Sequence, residues 1–374
     1  MSRKIRVAVL YGGRSGEHEV ALQSGASVIY HLDKEKFEVV AIGVDKNGKW
    51  HLAPPQQLQN KTKSLPVFKD EAEVWLPAHT EASEHGLLSL GTEKKSAAFD
   101  VLFPVMHGTM GEDGTIQGLF ELADVAYVGC GVLASAVGMD KDVAKKLVSM
   151  AGVPVAPYLS VKQGEWSLNT VHYKDLVQKE IGYPCFVKPS NSGSSVGIHK
   201  VKKPEDLGKS IDDAFRYDTK VLIETAVNAR EIELSVLENK NYGMPPRVSV
   251  AGEVIPQHEF YSYEAKYLDD NGASLKIPSE LTSEQLKEAQ KIARDVFAAL
   301  ECEGMARVDL FLDKNNGKFY FNEINTIPGF TSISMYPKMW EASGLKYKDL
   351  LTELIELAIA RHERRKKIIR DFTV

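Results

Sequence analysis

The chain has 374 residues, more than one ordinary domain uses, so two or three domains are expected. With 43% hydrophobic and 26% charged residues it has a globular composition, and its net charge of −5 (51 acidic against 46 basic) gives no pull toward nucleic acid or an acidic membrane surface. Cys130, Cys185 and Cys302 are scattered with no CxxC pair, which excludes a disulfide framework and a zinc–cysteine site. There is no apolar run long enough to span a bilayer and no signal-peptide pattern at the start, so a cytoplasmic protein without membrane association is expected.

IRVAVLYGG (5–13) reads as a buried strand entering a glycine turn, EVALQSGASVIYHL (19–32) as a helix and FEVVAIGV (37–44) as a second strand. This is a βαβ unit, which implies a parallel sheet. Residues 50–98 are polar and contain proline; they read as irregular chain with one short strand at EVWL (73–76). DVLFPVMHG (100–108) is a third strand running into the glycine-rich loop HGTMGEDGTIQG (107–118) and a helix at LFELA (119–123). A helix is expected over DKDVAKKLVSMAG (140–152), with Asp140 as N-cap and Gly152 and Pro154 as its stop.

VAPYLSV (155–161) and YPCFVKP (183–189) read as strands flanking a helix near 173–180. The glycine–serine loop NSGSSVGIHKV (191–201), a helix over 206–217, and strands KVLIET (220–225) and REIELSVLE (230–238) follow. Next come a long amphipathic helix (283–300), the hairpin ARVDLFLD/KFYFNEIN (306–313 and 318–325) and a helix over 352–367 whose ARHERRKK end reads as a solvated face.

The hairpin carries the chemistry. If Asn315-Asn316-Gly317 is a three-residue loop, Lys314 pairs with Lys318, Asp309 lies opposite Glu323, and Arg307 opposite Asn325. Directly opposed carboxylates destabilise a sheet, so this pair wants a cation between them. The hard oxygen donors Asp309, Glu323 and Asn325 select Mg²⁺ or Mn²⁺ over zinc. A solvated hairpin face is the alternative; apolar Phe319, Phe321 and Leu310 speak against it.

Magnesium held by few protein ligands usually shares its shell with phosphates. PSNSGSSVG (189–197) offers backbone N–H groups and hydroxyls at low steric cost, and Lys188 just before it needs an anion. Neither this loop nor GGRSGEHE (12–19) is a P-loop or a GxGxxG fingerprint. A dinucleotide-binding oxidoreductase remains a second reading from the first strand–loop–helix, but it leaves the hairpin and Lys188 unexplained.

Seven blocks in one order resemble the D-alanine–D-alanine ligases of the ATP-grasp superfamily over essentially the whole chain. They are GGRSGEHEVALQSG (12–25), HGTMGEDGTIQG (107–118), GMDK (138–141), FVKPSNSGSSVGIHKV (186–201), EAKY (264–267), ARVDLF (306–311) and NEINTIPGFTSISMYP (322–337). The resemblance implies a three-domain α/β ATP-grasp fold: a Rossmann-like N-terminal domain (1–130), a central part (131–225) and a C-terminal part with the metal site (226–374). It implies ATP-dependent ligation of two D-alanines through a D-alanyl phosphate for peptidoglycan precursors, two Mg²⁺ (or Mn²⁺) ions, and a homodimer with no nucleic-acid partner. A D-alanine–D-lactate ligase of the same fold is the near alternative.

Within that resemblance Asp309, Glu323 and Asn325 match the metal ligands, and Lys141 and Lys188 the lysines that hold ATP phosphates. Ser194 and Ser195 lie in the loop that closes over them, Ser195 as a binding group and not a nucleophile. Glu224, Ala226, Val227 and Glu231 match positions around adenine and ribose. Glu17 matches the acid that holds the first substrate's ammonium group, and Arg307 with the Gly329 backbone N–H matches the oxyanion site. Lys266 and Ser334 match groups near the second carboxylate, with His107 beside the substrates. Tyr267, where D-lactate-using relatives often carry histidine, implies an amino acid as second substrate.

Overall fold

The computed structural model of the protein describes residues 3–58, 62–69, 71–78, 86–90, 95–194, 196–256 and 273–369. β1 (Ile5–Gly12) leads through α1 (His18–His31) to β2 (Phe37–Val44), which pairs parallel to it. The stretch expected to be irregular carries four short strands, β3 (Trp50–Leu52), β4 (Glu73–Trp75) where the single short strand was expected, β5 (Gly86–Ser89) and β6 (Lys95–Ala98). They add to β2 in antiparallel sequence, and β7 (Val101–Val105) pairs parallel to β1 on its other side, for a sheet order β6-β5-β4-β3-β2-β1-β7. Strands of three or four residues are too short to display a hydrophobic period, and they exist because the edge of β2 offers ladder partners.

α2 (Thr115–Leu122), α3 (Val132–Met139) and α4 (Lys141–Met150) follow. The expected cap holds: Asp140 Oδ1 accepts from the N–H groups of Asp142 and Val143, both at 3.1 Å. A second, antiparallel sheet has β8 (Tyr158–Lys162), β9 (Cys185–Pro189), β10 (His199–Val201) and β11 (Lys220–Thr225) in the order β10-β9-β11-β8. Its core includes Trp166, Leu207 and Ile211 from α5 (Gln163–Leu176) and α6 (Pro204–Ala214). α5 starts well before the helix expected near 173.

The third sheet, also antiparallel, has β12 (Ala229–Leu237), β13 (Arg247–Pro256), β14 (Ala273–Lys276), β15 (Met305–Asp313) and β16 (Phe319–Asn325) in the order β14-β13-β12-β15-β16. The strand at 247–256 was not anticipated. α7 (Ser283–Ala299), capped by Thr282, buries Ala289, Ile292 and Val296 against Leu310, Phe319 and Phe321. Ala134 of α3 and Ala144 and Val148 of α4 belong to this same core, so both helices lie on the third sheet. After α8 (Met335–Ala342), α9 (Tyr347–Arg365) sends Leu350, Leu354 and Ile355 into the core of the first sheet, beside Val7, Val9 and Phe103.

The basic end of α9 is engaged by the protein itself. Arg361 donates to the carbonyls of Gly129 and Tyr127 and stacks 4.4 Å over the Tyr127 ring, and Arg365 pairs with Glu121. Among the described residues no helix is long and apolar enough to cross a membrane.

The hairpin reaches the expected pairing by another route. Asp309 does face Glu323 and Arg307 faces Asn325, but near the turn the register is one residue shorter, with Leu310 opposite Phe321 and Leu312 opposite Phe319. The loop thus spans Lys314–Gly317, and a bulge between Phe321 and Glu323 restores the register. In an unbroken strand Phe321 and Glu323 would share a face. The bulge lets Phe321 enter the core while Asn322 and Glu323 both line the cleft. Phe321 also donates its backbone N–H to Pro154 O at 2.8 Å. Phe321→Ala is expected to cost about 3–5 kcal/mol of stability, measured as a shift in the urea midpoint; a shift below about 1 kcal/mol would contradict this packing.

Candidate active site

The site begins at the carboxyl ends of β1 and β7, where parallel strands leave a crevice. Glu17 stands at the N-terminus of α1, directly after the β1 turn, and is buried. His107 follows β7 and is also buried. Its Nδ1 lies 3.0 Å from Ile327 O, and a carbonyl can only accept, so Nδ1 carries the proton and Nε2 is an acceptor. The Ser24 hydroxyl therefore donates to Nε2 at 2.8 Å and itself accepts from the N–H of Phe330 at 3.2 Å. Burial lowers the His107 pKa, in keeping with this neutral tautomer.

Beside them Glu112 accepts from the Gly108 N–H at 2.9 Å. Burial first, then the neighbouring Glu17 charge, push its carboxyl well above the ordinary range. Two glycines make room for Glu17: a Cβ on Gly108, whose φ is +78°, would stand 2.6 Å from Glu17 Oε2, and one on Gly193 would stand 2.5 Å from the same atom.

Gly193 belongs to the serine loop between β9 and β10, so this loop closes onto the first sheet. Ser194 adopts a left-handed φ of 51° and donates its hydroxyl to Glu17 Oε1. The root of the loop is fastened: the N–H of Lys141 donates to Ser190 O at 3.1 Å, Ser190 Oγ donates to Asp140 at 2.8 Å, and Asn191 N–H donates to Asp218 at 2.7 Å. Lys141 Nζ donates to Ser192 O at 2.7 Å and lies 3.3 Å from Glu323.

A cleft of about 470 Å³ opens under the loop, between the second and third sheets. Lys141, Lys188, Ser194, Glu224, Ala226, Val227, Glu231, Asn322 and Glu323 line it. On its floor, buried Glu224 lies 2.6 Å from Lys188 through one carboxylate oxygen and 2.6 Å from Lys145 through the other. Lys188 also donates to Asn322 Oδ1 at 3.3 Å. Burial alone would raise the Glu224 pKa, but Lys145 and Lys188 reverse that and bring it to about 2.

Arg307 holds Asp309 in a two-pronged pair at 2.8 and 2.7 Å and reaches Glu233 at 3.0 Å. Burial works against the Arg307 charge, but Asp309 and Glu233 carry its pKa well above the ordinary value. Asn325 Nδ2 donates to Asp309 at 3.1 Å. Arg307 and Lys141 thus balance the opposed carboxylates of Asp309 and Glu323. Among the described residues no three His, Cys, Asp or Glu side chains gather as a metal cluster. The donor set of Asp309, Glu323 and Asn325 is all hard oxygen, which fits a Mg²⁺-like ion completed by phosphate oxygens and water.

Gly329 and Ser334 lie together past the hairpin, a Cβ on Gly329 meeting Ser334 Oγ at 2.7 Å, and Thr331 N–H donates to that hydroxyl at 2.9 Å. Ser195, Lys266 and Tyr267 lie outside the described residues, and the described serine on Glu17 is Ser194. The sequence reading passed over Lys145, Glu112, Ser24 and Asn322. Lys145 had a signal, the i,i+4 spacing from Lys141 on one helix face. Asn322 had none, since only the bulge turns it to the cleft.

The residues 6–130 match the family model described as D-ala D-ala ligase N-terminus, and residues 147–356 match that described as D-ala D-ala ligase C-terminus. A D-alanine–D-alanine ligase A of Bradyrhizobium diazoefficiens is 52% identical over 100% of both chains, and a D-alanine–D-alanine ligase of Caldicellulosiruptor bescii is 48% identical over 98% of both. Among solved structures, the D-alanine–D-alanine ligase from Coxiella burnetii superposes with a TM-score of 0.83 at 36% identity, over 98% of this chain and 97% of that one. The VanG D-Ala:D-Ser ligase from Enterococcus faecalis superposes with a TM-score of 0.80 at 36% identity, over 95% of this chain and 100% of that one.

Because the Glu224 carboxyl titrates near 2 in the folded chain, below its ordinary 4.5, its contribution to stability is complete above about 4.5 and is lost as pH falls toward 2. Glu224→Gln is therefore expected to lower the denaturation midpoint at neutral pH, by a margin that narrows in acid. A margin constant from pH 7 to pH 3 would remove this assignment.

Proposed function

The chain belongs to the D-alanine–D-alanine ligase family, with the ATP-grasp fold, and from that premise we propose how its residues divide the chemistry. The enzyme uses ATP to join two D-alanines for peptidoglycan synthesis. The observation that carries the account is the Ser194–Glu17 hydrogen bond, which joins the roof of the 470 Å³ cleft to the crevice of the first sheet. Nucleotide and amino acid then share one enclosed space.

In this proposal the adenine and ribose lie along Glu224, Ala226, Val227 and Glu231, and the phosphates meet Lys141 and Lys188. Asp309, Glu323 and Asn325 hold Mg²⁺ or Mn²⁺, which when bound supplies positive charge to the phosphate oxygens. Glu17 holds the first D-alanine by its ammonium group. The carboxylate oxygen of that D-alanine bonds to the γ-phosphorus of ATP as the bond to the departing ADP breaks, giving D-alanyl phosphate. Both reactants are anions, so Lys141, Lys188 and Arg307 act by opposing that charge in a water-poor cleft. The Gly193–Ser194 closure keeps water from the acyl phosphate.

The second D-alanine, with its carboxylate near Ser334 and Lys266, gives an ammonium proton to water as it enters the site and attacks the acyl carbon through nitrogen. Arg307 and the Gly329 N–H hold the resulting oxyanion until phosphate leaves and the peptide bond remains. Neutral His107, fixed by Ile327 O and Ser24, shapes the substrate side without contributing charge. Ser194, which donates to Glu17, takes the serine role beside that carboxylate, and Ser195 serves as a binding group in the same loop. Tyr267, by its match to the family, favours an amino acid as second substrate. Three buried free thiols suit the cytoplasm, and a homodimer completes the proposal, testable by sedimentation.

The functional test is release of ADP and phosphate from ATP and Mg²⁺ with D-alanine alone, L-alanine alone, D-alanine plus D-serine, or D-alanine plus D-lactate. Release that requires D-alanine and yields D-alanyl-D-alanine is expected; a depsipeptide as main product would overturn the role given to Tyr267, and D-alanyl-D-serine as main product would overturn D-alanine as the second substrate. Asp309→Asn and Glu323→Gln are each expected to lower kcat by about 100-fold or more with the thermal melt nearly unchanged. Turnover near wild type in either variant would sink the metal assignment.

A further inference from the structure

Lys145 takes no part in the chemistry above, yet it is a charged group with 1% of its surface exposed. It does not line the 470 Å³ cleft, so it cannot touch a nucleotide there. A buried ammonium is costly, and a neutral side chain would fill the same space between the rings of Tyr158 and Phe321, whose centroids are 5.9 and 5.7 Å from Nζ. Its contacts indicate what the charge is for. Nζ lies 2.6 Å from Glu224 Oε1 and donates to Phe321 O at 3.1 Å, immediately before the bulge that presents Asn322 and Glu323. The other oxygen of Glu224 is 2.6 Å from Lys188 Nζ.

Glu224 therefore stands between two ammonium groups, only one of which reaches the cleft. Were Lys145 neutral, Glu224 and Lys188 would form a closed pair with no net charge, and Lys188 would offer little attraction to phosphate. With Lys145 charged, the carboxylate is shared and the trio keeps a surplus positive charge (two ammonium groups against one carboxylate). We propose that Lys145 is a positioning residue for nucleotide binding: by taking half of Glu224, it leaves Lys188 an effective cation toward the phosphates and anchors the Asn322–Glu323 bulge beside it. This deepens the nucleotide reading of the cleft and rests on it.

The test is calorimetric binding of ADP with Mg²⁺, and separately of adenosine, to the full chain as wild type and Lys145→Met, with a thermal melt of each. The single variant leaves Lys188 cancelled by Glu224 and is expected to bind ADP about tenfold or more weakly, whereas adenosine, which carries no phosphate, is expected within about threefold of its wild-type binding. A purely structural lysine would predict an equal loss for both ligands, since a disturbed core spoils the whole cleft. Single-variant binding of ADP within about threefold of wild type, or an equal loss for adenosine, would overturn the proposal. If Lys145→Met does not fold, Lys145→Gln is read by the same thresholds. Wild type that binds no ADP would remove the nucleotide cleft and this role with it. Normal wild-type binding beside an unaffected single variant would remove only the role of Lys145.

Discussion

Glu224 allows two lysines to be buried side by side, and the arrangement of the second and third sheets turns on it. Lys188 comes from β9, Glu224 from β11 and Lys145 from α4, which belongs by its core contacts to the third sheet. Removing such charges from water costs several kcal/mol each unless every one finds a close partner. The two 2.6 Å pairs can form only if α4 and the hairpin approach β11 at one particular height. The cleft above them is therefore placed by an electrostatic constraint as much as by hydrophobic burial. The ion pairs brace this polar site together with the aromatic rings of Tyr158, Phe321, Phe186 and Phe311 packed around the two lysines.

The same logic recurs toward the first sheet. Asp309 and Glu323 face each other across the hairpin, and Arg307 and Lys141 stand in to neutralise them. Glu17 and Glu112 are close neighbours in a buried crevice, and their mutual repulsion contributes to Glu112's raised pKa. The site is thus a dense array of opposed charges, suited to a reaction between anions. Two of the left-handed non-glycine residues, Met110 and Ser194, sit in the loops around Glu17. Backbone in that region is held only where its surroundings over-determine it. α9 supplies part of that rigidity by crossing back to the first sheet and bonding Arg361 to the carbonyls of Tyr127 and Gly129.

Much of this was legible in the sequence because it is local. Strand and helix periods, the Asp140 cap, the glycine-rich turn after β1, and the opposition of Asp309 to Glu323 all follow from residues near one another along the chain. Even so, the hairpin pairing was reached through two compensating departures, a four-residue loop and a bulge, which cancel at Asp309. Across 50–98 short-range reasoning found β4 but not β3, β5 and β6, which are too short to show a period and extend the sheet from the edge of β2.

The sequence by itself determined the family, the reaction class and the candidate acids, lysines and serines for the site, since ordered motifs of reactive residues survive in a linear reading. Tertiary structure decided which of those groups meet. It set Ser194 against Glu17, turned Asn322 into the cleft, gave Ser24 to His107, and divided Glu224 between Lys145 and Lys188. Each of these depends on distance between segments far apart in the chain, and on desolvation that exists only once those segments close around one another.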